Sequence, residues 1–168
     1  FNLQANYTVI RGFEIANTSY LRWTRTVSSG VYILGYYNLI ENNYIHDCAL
    51  DGIYITGPPS NPTISGNNII RNNKIYHNEM VGVNVGGRNN TIEGNEVWGQ
   101  VQCHPTLMAV EDNAFENNGS KCPNYPGVSG LDADGMHFNG KGNIFRKNYI
   151  HDILFGPDGI NASIGDYN

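Results

Sequence analysis

The chain has 168 residues, a formal net charge of −5 and only 15% charged residues, a size that suits one domain with its own core. Ten Lys and Arg against fifteen Asp and Glu, with no basic block, argue against a nucleic-acid binder. No apolar run approaches the ~18 residues of a membrane span, and Phe1-Asn2-Leu3-Gln4 reads as protein interior rather than as a signal peptide.

Asn and Gly dominate what remains: 25 Asn and 20 Gly make up over a quarter of the chain. Eleven Tyr, with Ile and Val in short alternating runs, argue against disorder. A repeat is therefore the first thing to seek.

The repeat opens with a degenerate copy, Ile10-Arg11-Gly12-Phe13-Glu14-Ile15. Gly30-Val31-Tyr32-Ile33 follows as a short alternating strand reached through a glycine. The pair recurs as Ile40-Glu41-Asn42-Asn43-Tyr44-Ile45 with Gly52-Ile53-Tyr54-Ile55, then as Ile70-Arg71-Asn72-Asn73-Lys74-Ile75 with Gly82-Val83-Asn84-Val85. Ile92-Glu93-Gly94-Asn95-Glu96-Val97 precedes an insertion, roughly 99–131. Beyond it come Gly135-Met136-His137-Phe138, Phe145-Arg146-Lys147-Asn148-Tyr149-Ile150 and Gly159-Ile160-Asn161-Ala162. Two short strands per copy imply an all-β parallel solenoid of about five coils, on the order of 24 Å long at ~4.8 Å per coil.

The expected register has an internal check. Arg11, Glu41, Arg71, Glu93 and Arg146 share one position and alternate in sign, as adjacent strands prefer. Asn43, Asn73, Asn95 and Asn148 share another and read as a turn-forming amide ladder at a bend. The inward stacks are Ile40/Ile70/Ile92/Phe145, Ile45/Ile75/Val97/Ile150 and Ile53/Val83/Met136/Ile160.

This pattern resembles the right-handed parallel β-helix proteins of the pectate-lyase-like superfamily over nearly the whole chain. The stretch Asp132-Ala133-Asp134-Gly135-Met136-His137-Phe138, with Gly142-Asn143-Ile144-Phe145-Arg146 and Pro157-Asp158-Gly159-Ile160-Asn161, is similar to part of the family 9 pectate lyases. That likeness implies a catalytic Ca²⁺ held by aspartates, with a lysine from a later coil as base. Asp134 and Asp158 match ligands. Asn161 stands where an Asp is expected, Pro157 replaces another, and the lysine would fall beyond Asn168.

From the residues themselves, Asp134 and Asp158 fall one coil apart, and with Asp132 and the Asn161 amide they offer oxygens to Ca²⁺. Asp-Gly is equally a turn into a strand, as at Asp51-Gly52. Tyr32, Tyr54, Asn84, His137 and Asn161 form the outward row on the same strands, suited to a sugar chain. His137 beside Asp134 is a candidate proton-transfer residue. His46-Asp47, Tyr76-His77 and His151-Asp152 also recur, but Trp98-Gly99 breaks the row and the repeat explains it. In the insertion, Cys103 and Cys122 could close a disulfide suited to an extracellular setting, with Cys48 left free. Sequons start at Asn6, Asn17, Asn89, Asn118 and Asn161.

The expectation is one domain over residues 1–168, a piece of a longer β-helix lacking both caps. It would be a secreted or cell-surface protein that binds or cleaves an acidic polysaccharide, by Ca²⁺-assisted β-elimination if it cleaves. The alternative is a structural or adhesive extracellular module that self-associates end to end through open β-helix ends, into a fibre.

Overall fold

The computed structural model describes residues 1–18, 28–57, 65–100, 134–153 and 159–162. The insertion, Asp132, Asp158, Cys103 and Cys122 lie outside the described residues. The first coil holds β1 (Asn2–Leu3), β2 (Val9–Arg11) and β3 (Glu14–Ala16). The second holds β4 (Val31–Ile33), β5 (Leu39–Glu41) and β6 (Tyr44–His46), and the third β7 (Ile53–Ile55), β8 (Ile69–Arg71) and β9 (Lys74–Tyr76). The fourth holds β10 (Val83–Val85), β11 (Thr91–Glu93) and β12 (Glu96–Trp98), the fifth β13 (Met136–Phe138), β14 (Ile144–Arg146) and β15 (Tyr149–His151). β16 (Ile160–Ala162) continues the stack.

All pairing is parallel and links equivalent strands of successive coils. Sheet I runs β1-β4-β7-β10-β13-β16, sheet II β2-β5-β8-β11-β14 and sheet III β3-β6-β9-β12-β15. The all-β parallel solenoid of about five coils is therefore observed, with one correction. Each coil has three strands rather than two. The segment read as one strand, such as Ile40 to Ile45, breaks at Asn42-Asn43 into β5 and β6 on different sheets.

The break comes from the backbone. Asn42, Asn72, Gly94 and Lys147 take positive φ at this corner, and each next residue is the ladder Asn. The two properties expected of one Asn are thus split between neighbours: one turns the chain, the next points inward. Tyr7, Tyr37, Asn67, Asn89 and Gly142 turn the corner from sheet I to sheet II, and Asn17, Asp47, His77, Gly99 and Asp152 the corner after sheet III.

The ladder saturates its amides. Asn73 Oδ1 accepts from Asn43 N–H and Asn43 Nδ2, both at 3.0 Å. Asn73 Nδ2 donates to Asn95 Oδ1 and back to Ile40 O, also at 3.0 Å. Asn95 repeats this with Asn148 and Ile70 O. A second column that the sequence reading missed, Asn38-Asn68-Asn90-Asn143, runs up the sheet I–II corner in the same way from Asn68 onward, while the buried Asn38 Nδ2 makes no hydrogen bond. A shorter one passes from Cys48 N–H through Asn78 to Gln100.

Between the amide columns the core is apolar. Ile33, Ile40, Ile45, Ile53, Ile55, Ile70, Ile75 and Ile92 are fully buried, with Val83, Val97 and Met136. Phe145 and Ile150 pack against this core partly buried. Ile160, expected inside, pairs with Met136 but is 54% exposed, because the coil beneath it covers only one side. The strand-leading glycines are required by space. A Cβ on Gly52 would lie 2.6 Å from Ile75 Cγ2 and 2.7 Å from Gly82 O. Cys48 is free and buried in this wall, and burial pushes its thiol up to about 12, so it is an inert core residue.

On the outer face of sheet II the charge row stands in the expected register. Glu41 is 4% exposed and takes Arg71 Nε at 2.6 Å and Arg11 Nε at 2.5 Å, while Arg146 Nε reaches Glu93 at 2.7 Å. The Arg71 hydrogen bond, against the opposing effect of burial, holds the Glu41 carboxyl below its ordinary range, and Arg11 adds to this.

Two outcomes follow. Asn73→Ala leaves the Asn43 N–H and one of the two Asn43 amide hydrogens without their acceptor and removes the amide bond to Ile40 O. It should cost about 3–5 kcal/mol, at roughly 1–3 kcal/mol per orphaned buried group, measured by urea unfolding. The Glu41 contribution is present above the ordinary Glu pKa of about 4.3 and is lost as pH falls through the lowered native value. Glu41→Gln should therefore flatten the acid limb of the thermal midpoint against pH, and an unchanged limb would remove Glu41 from the acid response.

Candidate functional site

Coil length varies in only one region of the rod. The corner between sheets II and III is always two residues: 12–13, 42–43, 72–73, 94–95 and 147–148. The connections into sheet I span 17–30, 47–52, 77–82, 99–135 and 152–159. Those out of it are five residues long except for 56–68. Every long connection thus leaves or rejoins the chain at an edge of sheet I, and such segments are where binding residues concentrate on a rigid scaffold.

The proposed outward row lies on that sheet, in register. Tyr32 pairs with Tyr54, Tyr54 with Asn84, Asn84 with His137 and His137 with Asn161. The Tyr32 and Tyr54 rings lie 5.6 Å apart at 41°. The row is less open than a groove surface was expected to be. Tyr32 is 8% and Asn84 4% exposed, while Tyr54 and His137 are half-buried.

Asn84 is sequestered by a partner that the sequence reading had treated only as a turn former. Its Nδ2 donates to Asp51 Oδ1 at 3.3 Å, and Ser29 Oγ donates to Asp51 Oδ2 at 3.5 Å. Asp51 itself is fully buried. The signal was present: Ser29, Asp51, Val81 and Asp134 share the position before the strand glycine. The carbonyls of Asp51, Val81 and Asp134 accept N–H bonds from Gly30, Gly52 and Gly82 of the coil before. With Asp51 taking the amide N–H, the Asn84 oxygen is left to accept.

Asp134 is also fully buried. Val81 separates it from Asp51, so the two carboxylates stand two coil steps apart, roughly 10 Å. A Ca²⁺ site needs six to eight oxygens. Of the three aspartates expected to supply them, only Asp134 belongs to the described residues, as does the backbone of Asn161. Among the described residues no group of three or more His, Cys, Asp or Glu is placed to hold a metal. They do not by themselves form the Ca²⁺ site.

The recurring histidines serve a different purpose. On the outer face of sheet III, His46, Tyr76, Trp98 and His151 form one aromatic column, with centroids 4.7, 4.5 and 5.7 Å apart and planes within 17°. Trp98, which had looked like a break in the row, is its middle member. His77 lies outside the column at a positive-φ corner. Carboxylates hold both end rings: Asp47 and Glu14 at His46, Asp152 and Glu96 at His151. Rings stacked on each other present edges to solvent and explain themselves as packing.

A family model described as a right handed beta helix region matches residues 3–163. No curated protein and no solved structure matches the chain.

The Asp152 hydrogen bond, with Glu96 adding to it, raises the His151 imidazole above its ordinary range. Its contribution is complete below about pH 6.5 and is lost as pH rises through the raised native value. His151→Gln should therefore lower the thermal midpoint at pH 5.5 and leave it nearly unchanged at pH 9. Equal losses at both pH values would assign the residue to packing alone.

Proposed function

The chain belongs to the right-handed β-helix family, and from that premise we propose that its sheet I face binds an acidic polysaccharide outside the cell. The observation that carries this is the placing of all coil-length variation at the two corners that bound sheet I. That face also carries the one in-register column of tyrosines, amides and a histidine. Tyrosine offers an apolar ring with a polar tip, the chemistry of sugar contact.

Acid recognition enters through a cation. Asp134, with Asp132 and Asp158, would hold a Ca²⁺ whose charge would offset the uronate carboxylates. His137, half-buried between Asn84 and Asn161, is the proposed proton-transfer group if the polymer is cleaved. The proposal here is binding; cleavage by β-elimination is its extension. A second reading, a structural or adhesive module, draws on the outward apolar column of sheet II, where Val9 is 54%, Ile69 38% and Ile144 51% exposed.

The test is calorimetric titration with polygalacturonate, with and without Ca²⁺, using dextran as the neutral control. Tyr54→Ala should weaken polygalacturonate binding about tenfold, equivalent to roughly 1.4 kcal/mol. Asp134→Asn should remove its Ca²⁺ dependence. If Tyr54→Ala binds like the parent, the site is not on sheet I. Concentration-dependent sedimentation with no polymer binding would favour the structural module.

A further inference from the structure

We propose that Asn139 is a site of spontaneous, backbone-driven modification, at which its side-chain amide is exchanged for an aspartyl or isoaspartyl linkage to Gly140. The reaction consumes only water, and its isoaspartyl product disturbs the second amide column. The inference stands apart from the polysaccharide reading.

The first observation is what the coil demands at this place. Strands β4, β7, β10 and β13 are left through the pairs Leu34-Gly35, Thr56-Gly57, Gly86-Gly87 and Asn139-Gly140, in register. The first residue of each pair has the same backbone task. Its N–H donates to the coil before, as Asn139 N–H does to Val85 O at 3.0 Å. Leu, Thr and Gly perform that task elsewhere, so the coil does not call for Asn. It does call for the glycine. A Cβ on Gly140 would collide with Gly87 O and lie 2.8 Å from Asn143 Nδ2. A Cβ on Gly35 or Gly87 would likewise collide with Ala5 O or Ser65 O. Packing therefore fixes a glycine directly after Asn139.

The second observation is the state of the amide. Asn73, Asn90 and Asn95 are buried, and the coils on either side hold their amides. Asn139 is exposed. Among the described residues, neither its side chain nor the Gly140 N–H has a hydrogen-bond partner. The Asn139 Oδ1 rests over Gly86, 3.2 Å from where a Cβ there would be, so the coil before leaves the amide room to turn. No other Asn among the described residues is followed by glycine.

These conditions suit cyclisation. The Gly140 nitrogen gives its proton to hydroxide and bonds to Asn139 Cγ, a succinimide ring closes, and ammonia leaves. Water then opens one of the two ring bonds to that nitrogen. The net change turns an amide and water into a carboxylate and ammonium, with no oxidant or cofactor. Glycine leaves the attacking nitrogen uncovered, and nucleophile and carbonyl sit in one residue pair, so the attack is intramolecular. When the ring opens at the main-chain carbonyl, the backbone runs through the former side chain, and an extra methylene enters ahead of Gly140. Gly140 is wedged against Gly87 O, which takes Asn143 Nδ2 at 3.0 Å, and Asn143 Oδ1 takes Asn90 N–H at 2.9 Å. The lengthened linkage therefore presses on the Asn143 end of the second column.

The test is to age the folded protein in mildly alkaline buffer made with water labelled in heavy oxygen, then read its tryptic peptides by fragmentation mass spectrometry. Cuts after Lys121 and Lys141 separate Asn139 from Asn118-Gly119, which lies outside the described residues. Position 139 should lose its amide, take up the label and appear as an aspartyl and isoaspartyl pair. Conversion should quicken as pH rises, because the attacking nitrogen must lose its proton, while Asn73, Asn90 and Asn95 keep their amides. Asn139→Gln, which would have to close a larger ring, should stay intact. The isoaspartyl fraction should show a lower thermal midpoint than fresh protein. Asn139→Asp, which supplies the charge without the longer backbone, should melt like the parent. No conversion at position 139, or conversion no faster than at the ladder residues, overturns the site. An isoaspartyl fraction that keeps the fresh midpoint, or an Asn139→Asp variant that loses as much, overturns the link to the amide column.

Discussion

A single coil of this protein has no partner within itself. Along the sixteen strands of the described residues the backbone N–H and C=O groups point to the coil before or after, and each buried group must find a partner there. Stacking at one strand spacing then forces each inward position to repeat its shape. The buried asparagines are the strictest case. Asn73 and Asn95 each accept twice from one neighbouring coil, and donate once to the next and once back to a backbone carbonyl. An amide is the one neutral side chain that both accepts twice and donates twice at that reach. A corner column without amides leaves buried groups unpaired, which is why Asn recurs at these positions coil after coil.

The same constraint explains what could be read from the sequence and what could not. Strict repetition made the register legible: the Arg/Glu row, the core stacks and the Asn43 column stand where the alignment put them. It hid the corners. Asn42-Asn43 looked like one bend inside a strand because the αL residue and the ladder residue are adjacent and both can be Asn. Where the αL residue is Lys147, nothing in the residue type announces it. The Asn38 column was missed because it sits between copies of the motif rather than within one. Trp98 was read as a break because His, Tyr and Trp were compared as chemical groups. In a stacked column they are equivalent flat rings.

The candidate site was legible in its row and not in its burial. Alternation placed Tyr32, Tyr54, Asn84, His137 and Asn161 on one outward line, and strand pairing agrees. Alternation carries no information about what lies over an outward face, so the 4–8% exposure of Asn84 and Tyr32 was out of reach. Asp51 could have been found. It precedes a strand glycine as Asp134 does, but its recurrence was taken as evidence for turns alone, and its bonds to Asn84 and Ser29 arise only when coils stack.

A ladder this strict also separates structure from function by position. The corner between sheets II and III holds two residues in every coil, so a change of length there would break the Asn43 column and the core together. The connections at sheet I range from five residues to thirty-seven, while the strands at their ends keep the register of the neighbouring coils. Within the constant parts, function can enter only through side chains that face solvent and leave the ladder intact. Tyr7 and Tyr37 meet that condition: the N–H of each still donates to the next coil, at 3.1 and 3.2 Å, as Asn67 does at 3.1 Å. The backbone task is done equally well by either residue type. What the aromatic pair adds is the contact of the two rings with each other, 5.1 Å apart at 4°.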